Sequence, residues 1–162
     1  MIPPALGTRI NGKLYDYSSV VVTIRNIVYS NVTDINYSHS LDPGVLRGTS
    51  PMWRGRTRGT YDTNGSFSMY KEDYQNLIGQ LAAAGMGGYM EATFQITVIY
   101  RDFGAVLPIT DTLNGCRIKG DDDSHSSGND PIIVKADLSI FELIRGGLHA
   151  VDTLGRSANL KP

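Results

Sequence analysis

Cys116 is the single cysteine of a chain that also carries three histidines, His39, His125 and His149. A thiolate beside an imidazole is the first nucleophilic pair to seek. The histidines are scattered and no local catalytic signature surrounds the cysteine. Cys116 falls in an alternating segment, where a small buried packing role is expected, and no enzymatic activity is expected of the chain. Asp121-Asp122-Asp123 offers clustered carboxylate oxygens of the kind calcium prefers. The triplet lacks the alternating ligands, central glycine and distal glutamate of an EF-hand and reads as a solvated loop. Neither a metal nor a cofactor is expected. Gly55-Arg56-Thr57-Arg58-Gly59 presents guanidinium forks that match phosphates, but no strand-to-helix phosphate loop surrounds it.

Those arginines belong to a longer segment, Ser40 to Ser66, which holds four arginines, the only tryptophan and repeated glycines without a hydrophobic period. A structureless connection longer than ~12–15 residues is rare in a compact domain unless it has a task or is disordered. Disorder-prone linkers lack bulky aromatics, whereas arginine and tryptophan are enriched at binding hot spots. Residues 40–66 are therefore expected to be an extended interaction arm, with Arg47, Trp53, Arg54, Arg56, Arg58 and Tyr61 as interface candidates. Arg47, Arg54, Arg56 and Arg58 against Asp42 and Asp62 give the arm a net charge of +2. Asp121, Asp122, Asp123 and Asp130 give Gly120 to Asp130 a net charge of −4. Opposite charges set register and speed encounter, so Asp121, Asp122 and Asp123 are the first candidates for the surface the arm meets.

At 162 residues the chain is expected to form one domain, 1–162, with a core that needs no disulfide or metal. No apolar run approaches the ~20 residues of a membrane helix, and Met1-Ile2-Pro3-Pro4 lacks a basic region followed by a secretory apolar core. Folding in a cytoplasm and no membrane partner are expected, in line with the lone cysteine. The formal charge of −1 disfavours general nucleic-acid binding, which needs a basic excess on one face.

The elements that must carry the arm are mostly strands. Val20-Val21-Val22-Thr23-Ile24 is β-branched on both faces, which suits a strand covered on both sides, continuing toward Tyr29 and turning near Ser30-Asn31. Ile35 and Tyr37 alternate with Asp34, Asn36 and Ser38, which indicates a half-buried strand. The clearest strand spans Glu91 to Arg101, with Ala92, Phe94, Ile96, Val98 and Tyr100 on a core face and Thr93, Gln95 and Thr97 opposite. Asp102-Phe103-Gly104 reads as a turn and Leu113 to Lys119 as another strand. From Ile132 to Leu143, Ile132, Val134, Ala136, Leu138 and Ile140 oppose Lys135, Asp137 and Ser139. One helix is expected, because Tyr70, Tyr74, Leu77, Ile78, Leu81 and Ala84 form a single apolar stripe. Ser68 reads as its N-cap, Glu72 and Asp73 favour its positive end, and Gly85 ends it. Residues 153–162 read as a flexible C-terminal tail. The order predicts a mainly β (α+β) fold, an antiparallel β-sandwich or barrel with one packed α-helix and a long extended loop.

The chain resembles a bacteriophage tail tube protein. The likeness runs from Ile10-Asn11-Gly12 and the Val20 strand to Leu143, and takes in Arg56-Thr57-Arg58-Gly59, the helix start at Lys71-Glu72-Asp73 and Phe94-Gln95-Ile96-Thr97-Val98. It continues through Thr110-Asp111-Thr112-Leu113-Asn114-Gly115-Cys116-Arg117-Ile118 to Gly128-Asn129-Asp130. The resemblance implies a structural virion protein whose hexameric rings stack into a hollow tube that conducts DNA. The partners it implies are further copies, other tail proteins such as sheath, baseplate or terminator, and passing DNA without specific binding. Its place would be the virion tail, after assembly in the host cytoplasm. Thr93, Gln95 and Thr97 are the channel-wall candidates, since a threonine-and-glutamine face without a positive stripe would let DNA slide. A monomeric binding module for a cation or a glycan, using the 40–66 loop, is the alternative.

Overall fold

The structure is a computed structural model that describes residues 20–57, 59–84, 87–101 and 108–151, with Trp53 described for its backbone alone. Arg58, Gly85, the Asp102-Phe103-Gly104 turn and the 153–162 tail lie outside the described residues. The elements in chain order are β1 (Val20–Ile24), β2 (Ile27–Tyr29), β3 (Val32–Asp42), β4 (Val45–Arg47), β5 (Trp53–Arg56) and β6 (Thr60–Tyr70). Then follow α1 (Lys71–Ala84), β7 (Phe94–Tyr100), β8 (Ile109–Ser124), β9 (Ile133–Ser139), β10 (Glu142–Arg145) and β11 (Leu148–His149). All strand pairings are antiparallel. The fold is mainly β with one helix, as the alternation of apolar residues predicts.

The strands follow the path β2-β1-β7-β8-β9-β6-β3, with β10 paired to β8 and β11 to β10. The two ends of this path, β2 and β3, are consecutive in the chain and separated only by Ser30-Asn31, so the sheet wraps back on itself. Strand β8 is the spine of the wrap. Its first half pairs with β7 and β10, and its second half pairs with β9. Two layers result, β2-β1-β7 with the start of β8, and β3-β6-β9 with its end. Ile24, Ile96, Leu113, Phe67, Val134 and Leu138 from both layers fill the space between them.

Several local expectations change. The segment from Val20 to Tyr29 is a hairpin, because Arg25 and Asn26 adopt φ of 51° and 65°. Two consecutive left-handed residues make the tight turn whose twist matches two paired strands. Only Val22 and Ile24 of β1 are buried, so this strand has one core face. Ser68 is no helix cap: it lies within β6, paired to Asp34 and Lys135. The chain passes directly from strand to helix at Tyr70-Lys71, and the Lys71 amide donates to the Ile132 carbonyl at 3.0 Å. Helix α1 buries Tyr74, Leu77 and Leu81. Ile132 is exposed, since it precedes β9 rather than belonging to its core face.

The Asp121-Asp122-Asp123 triplet is strand, not loop, because β8 runs sixteen residues to Ser124. A strand alternates its side chains between faces, and that period splits the triplet. Asp121 and Asp123 oppose the buried Ala136 and Val134, whereas Asp122 opposes the exposed Lys135.

Candidate assembly surfaces

The segment expected to be structureless is a β-ribbon. Strands β3 and β6 stay paired out to Asp42 and Thr60, although β6 pairs with β9 only over Gly65 to Tyr70. The hairpin β4-β5 continues the ribbon, with Arg47 opposite Trp53 and Val45 opposite Arg56. Thr57 locks its base by donating its amide to the Gly44 carbonyl at 2.8 Å and accepting the Gly44 amide at 2.9 Å. Residues 41–52 are exposed throughout, including Leu41, Val45, Leu46 and Met52. Arg47, Arg54 and Arg56 are exposed as well. An isolated two-stranded sheet is marginal in water, so a ribbon of this composition gains most from a partner.

Tyr61 stands at the root of this ribbon rather than its tip. Its hydroxyl accepts from the Leu143 amide at 3.2 Å and lies 3.2 Å from His39 Nδ1. Thr63 donates its hydroxyl to the Ile140 carbonyl nearby. These contacts fasten the arm to the junction of β9 and β10, where Phe141 is 75% exposed.

Thr93, Gln95 and Thr97 lie on the outer side of the β7 segment, as their spacing predicts. Thr97 is flanked by Thr23 of β1 and Thr112 of β8, which makes a row of three threonines across three strands. The row is not free of cations, because Arg117 Nε donates to the Thr93 hydroxyl at 3.2 Å. The second layer has a more uniformly polar outer face. Asn36 of β3, Ser66 of β6 and Asp137 of β9 stand in one register row, and Ser68, Lys135 and Asp122 in another. Among the described residues, β6 is the strand paired with β3, and past Cys116 no strand pairs the side of β8 away from β9, so this layer presents an edge at each end.

Within one copy, Asp121 and Asp123 are partnered locally. Asp121 accepts from the hydroxyls of Tyr74 at 2.8 Å and Tyr89 at 2.7 Å, while Asp123 pairs with Lys71 at 2.6 Å. The bond from Tyr89, then that from Tyr74, holds the Asp121 carboxyl below the usual range. Burial, followed by the Asp121 bond, raises the pKa of Tyr74.

One cluster escapes a reading by motif. Asp111 is 5% exposed and accepts from Tyr37 at 2.6 Å and from the Gly146 amide at 3.0 Å. Tyr37 also shares a hydrogen bond with Tyr100, and the Arg145 guanidinium lies 5.2 Å from its ring centre. Burial, then the bond to Asp111, raises the Tyr37 pKa. A signal was present in the alternation, since Asp111 shares the core parity of Leu113. Cys116 is fully buried, and burial pushes its thiol up to about 12, against a nucleophilic role.

No family model and no curated protein matches the sequence. Solved structures do match the fold. A chain of the sheath-tube complex of the PVC extracellular contractile injection system, in its extended state, superposes with a TM-score of 0.63 at 12% identity, covering 82% of this chain and 90% of that one. The tube-terminating cap of the anti-feeding prophage gives 0.66 at 11% identity, over 88% and 97%. The SPP1 tail tube gives 0.61 at 9% identity, over 92% and 87%. Over most of its length the chain thus has a tail tube fold.

Proposed function

We propose that the chain is a non-enzymatic structural subunit of a tube, a component of a virion tail, and that copies of it form rings that stack. One observation carries this reading: among the described residues, the layer β8-β9-β6-β3 has four strands, with no further strand paired to its outer sides. Each neighbour in this series is antiparallel, so the first and last strands run in opposite senses. Copies arranged side by side, the same way up, then bring β8 of one against β3 of the next as a further antiparallel pair. The ring closes without a free edge, which removes the hazard that exposed strands carry. Six copies would give twenty-four strands and, at ~4.8 Å per strand, a circumference of roughly 115 Å.

The bore of such a ring is lined by the outer face of the four-stranded layer. Lys135 faces Asp122 and Lys119 lies in the same shallow cleft as Asp137, so its cations are locally matched. DNA phosphates find little net attraction on such a wall. Thr93, Gln95 and Thr97 belong to the other layer, where β1 and β8 already flank β7, and take the side away from the bore. Sheath, baseplate and terminator proteins are the further partners of a tube of this kind.

The arm supplies the contact between rings. Reversing Arg54, Arg56 and Arg58 to glutamate should abolish tubes while the monomer keeps its circular dichroism and unfolding midpoint. Negative-stain microscopy and sedimentation of the purified chain decide the matter, for rings and tubes are expected of the natural sequence. Monomers under all conditions would favour a small binding module instead, and normal tubes from the triple variant would remove the arm's role.

A further inference from the structure

We infer that the arm tip of one copy docks in a cavity at the opposite pole of a second copy, an inference that rests on the tube reading above. The strands of the four-stranded layer define two poles. At one, Asp42 faces Thr60 and the ribbon leaves the body. At the other, Val32 faces Met69 and Ile133 faces both Tyr70 and Ser124. A cavity of about 490 Å³ opens at this second pole, between the start of α1 and the residues that precede β9. Tyr70, Pro131 and Ile132 supply its apolar lining, and Glu72 and Asp73 its acidic lining.

The chemistry of the two poles is complementary. The tip offers exposed Val45, Leu46 and Met52 beside Arg47 and Arg54. The cavity offers an exposed Ile132 beside the exposed Glu72. Lys71, the cation among its described lining residues, is paired with Asp123. Because the ribbon and the cavity lie at opposite ends of one body, a copy cannot fill its own cavity. Contact between two different patches is heterologous, and a heterologous contact that does not close propagates into a filament. Apolar contact then supplies affinity, while the arginine and carboxylate charges fix which pole is met.

The test uses the full chain. Glu72→Arg and Ile132→Glu change exposed side chains, so both variants should fold, form single rings and lose tubes. Arg54→Glu should do the same, and Arg54→Glu combined with Glu72→Arg should restore tubes. A Met52→Cys, Ile132→Cys variant, oxidised after assembly, should yield a ladder in multiples of the chain mass, with the buried native Cys116 left unreacted. Normal tubes from both cavity variants, or tubes of the double-cysteine variant without a ladder, would overturn the docking site and leave the tube reading intact. Natural chain that never forms rings would instead overturn the tube reading, and the docking site with it.

Discussion

Asp111 should contribute more to stability than any other polar side chain named above, and the structure allows the size of the effect to be worked out. Replacement by alanine deletes hydrogen bonds from Tyr37 and from the Gly146 amide to a carboxylate that is 5% exposed. Hydrogen bonds to a charged group contribute ~1.5–3 kcal/mol each. The ion pair with Arg145, 3.9 Å long and half exposed on the arginine side, adds less than ~1 kcal/mol. Relief of the desolvation cost of the buried charge offsets part of the loss. The net destabilisation of Asp111→Ala is therefore about 3 kcal/mol, which for a chain of this size lowers the melting temperature by ~6–12 °C. Asp111→Asn keeps the size and one acceptor and should cost about half as much. Tyr37→Phe should cost ~1–2 kcal/mol, and the double variant should reveal a coupling of at least ~1 kcal/mol. Urea unfolding of the monomer at neutral pH measures all four. Amide exchange should rise along β3 around Tyr37, since this cluster ties the strand to β8. An alanine variant within ~1 kcal/mol of the natural chain, or a coupling of zero, would refute the reasoning.

Four further outcomes are expected. Gly115 has φ of 64°, and a Cβ there would lie 2.6 Å from that of Phe141. Gly115→Ala should cost ~1–3 kcal/mol, whereas Gly120→Ala, whose added Cβ would meet open space, serves as the mild control; equal midpoints would contradict the clash. Stability should be flat toward moderately alkaline pH and fall above about pH 10, because Tyr37 and Tyr74 have raised folded values and the unfolded chain releases their protons first. The slope is ~1.4 kcal/mol per pH unit for each tyrosine, and denaturant midpoints unchanged up to about pH 11 would contradict it. On the acid side Asp121 has a lowered folded value, so its contribution is present above the unfolded range near pH ~4 and lost as pH falls through the folded value. Burial raises Cys116 from 9.0 to about 12, which cuts its thiolate population by about a thousandfold. Thiol labelling of the native chain should then proceed only as fast as unfolding exposes the sulfur, and rapid labelling in the folded state would contradict the burial.

What the sequence by itself determined is whatever depends on local periodicity. The alternation of Phe94, Ile96 and Val98 with Gln95 and Thr97 specifies a strand and its inner face wherever it is placed. The stripe of Tyr74, Leu77 and Leu81 specifies a helix with one buried side. The mainly β character with a single helix follows from those patterns, because each needs only neighbours within two or four residues. Tertiary structure decided what depends on pairing between distant residues. The ribbon of residues 40–66 carries no hydrophobic period, since its strands have no core beneath them, and only the register of Ser38 with Asn64 and Val45 with Arg56 makes it a ribbon. The Arg25-Asn26 turn lacks the usual glycine and hid within a β-branched run. The aspartate triplet was divided between two surfaces by a strand period that no composition reveals. Among the described residues, long-range register also gave one layer an edge at each end and placed the basic tip and the acidic cavity at opposite poles, and neither property belongs to any single segment of the chain.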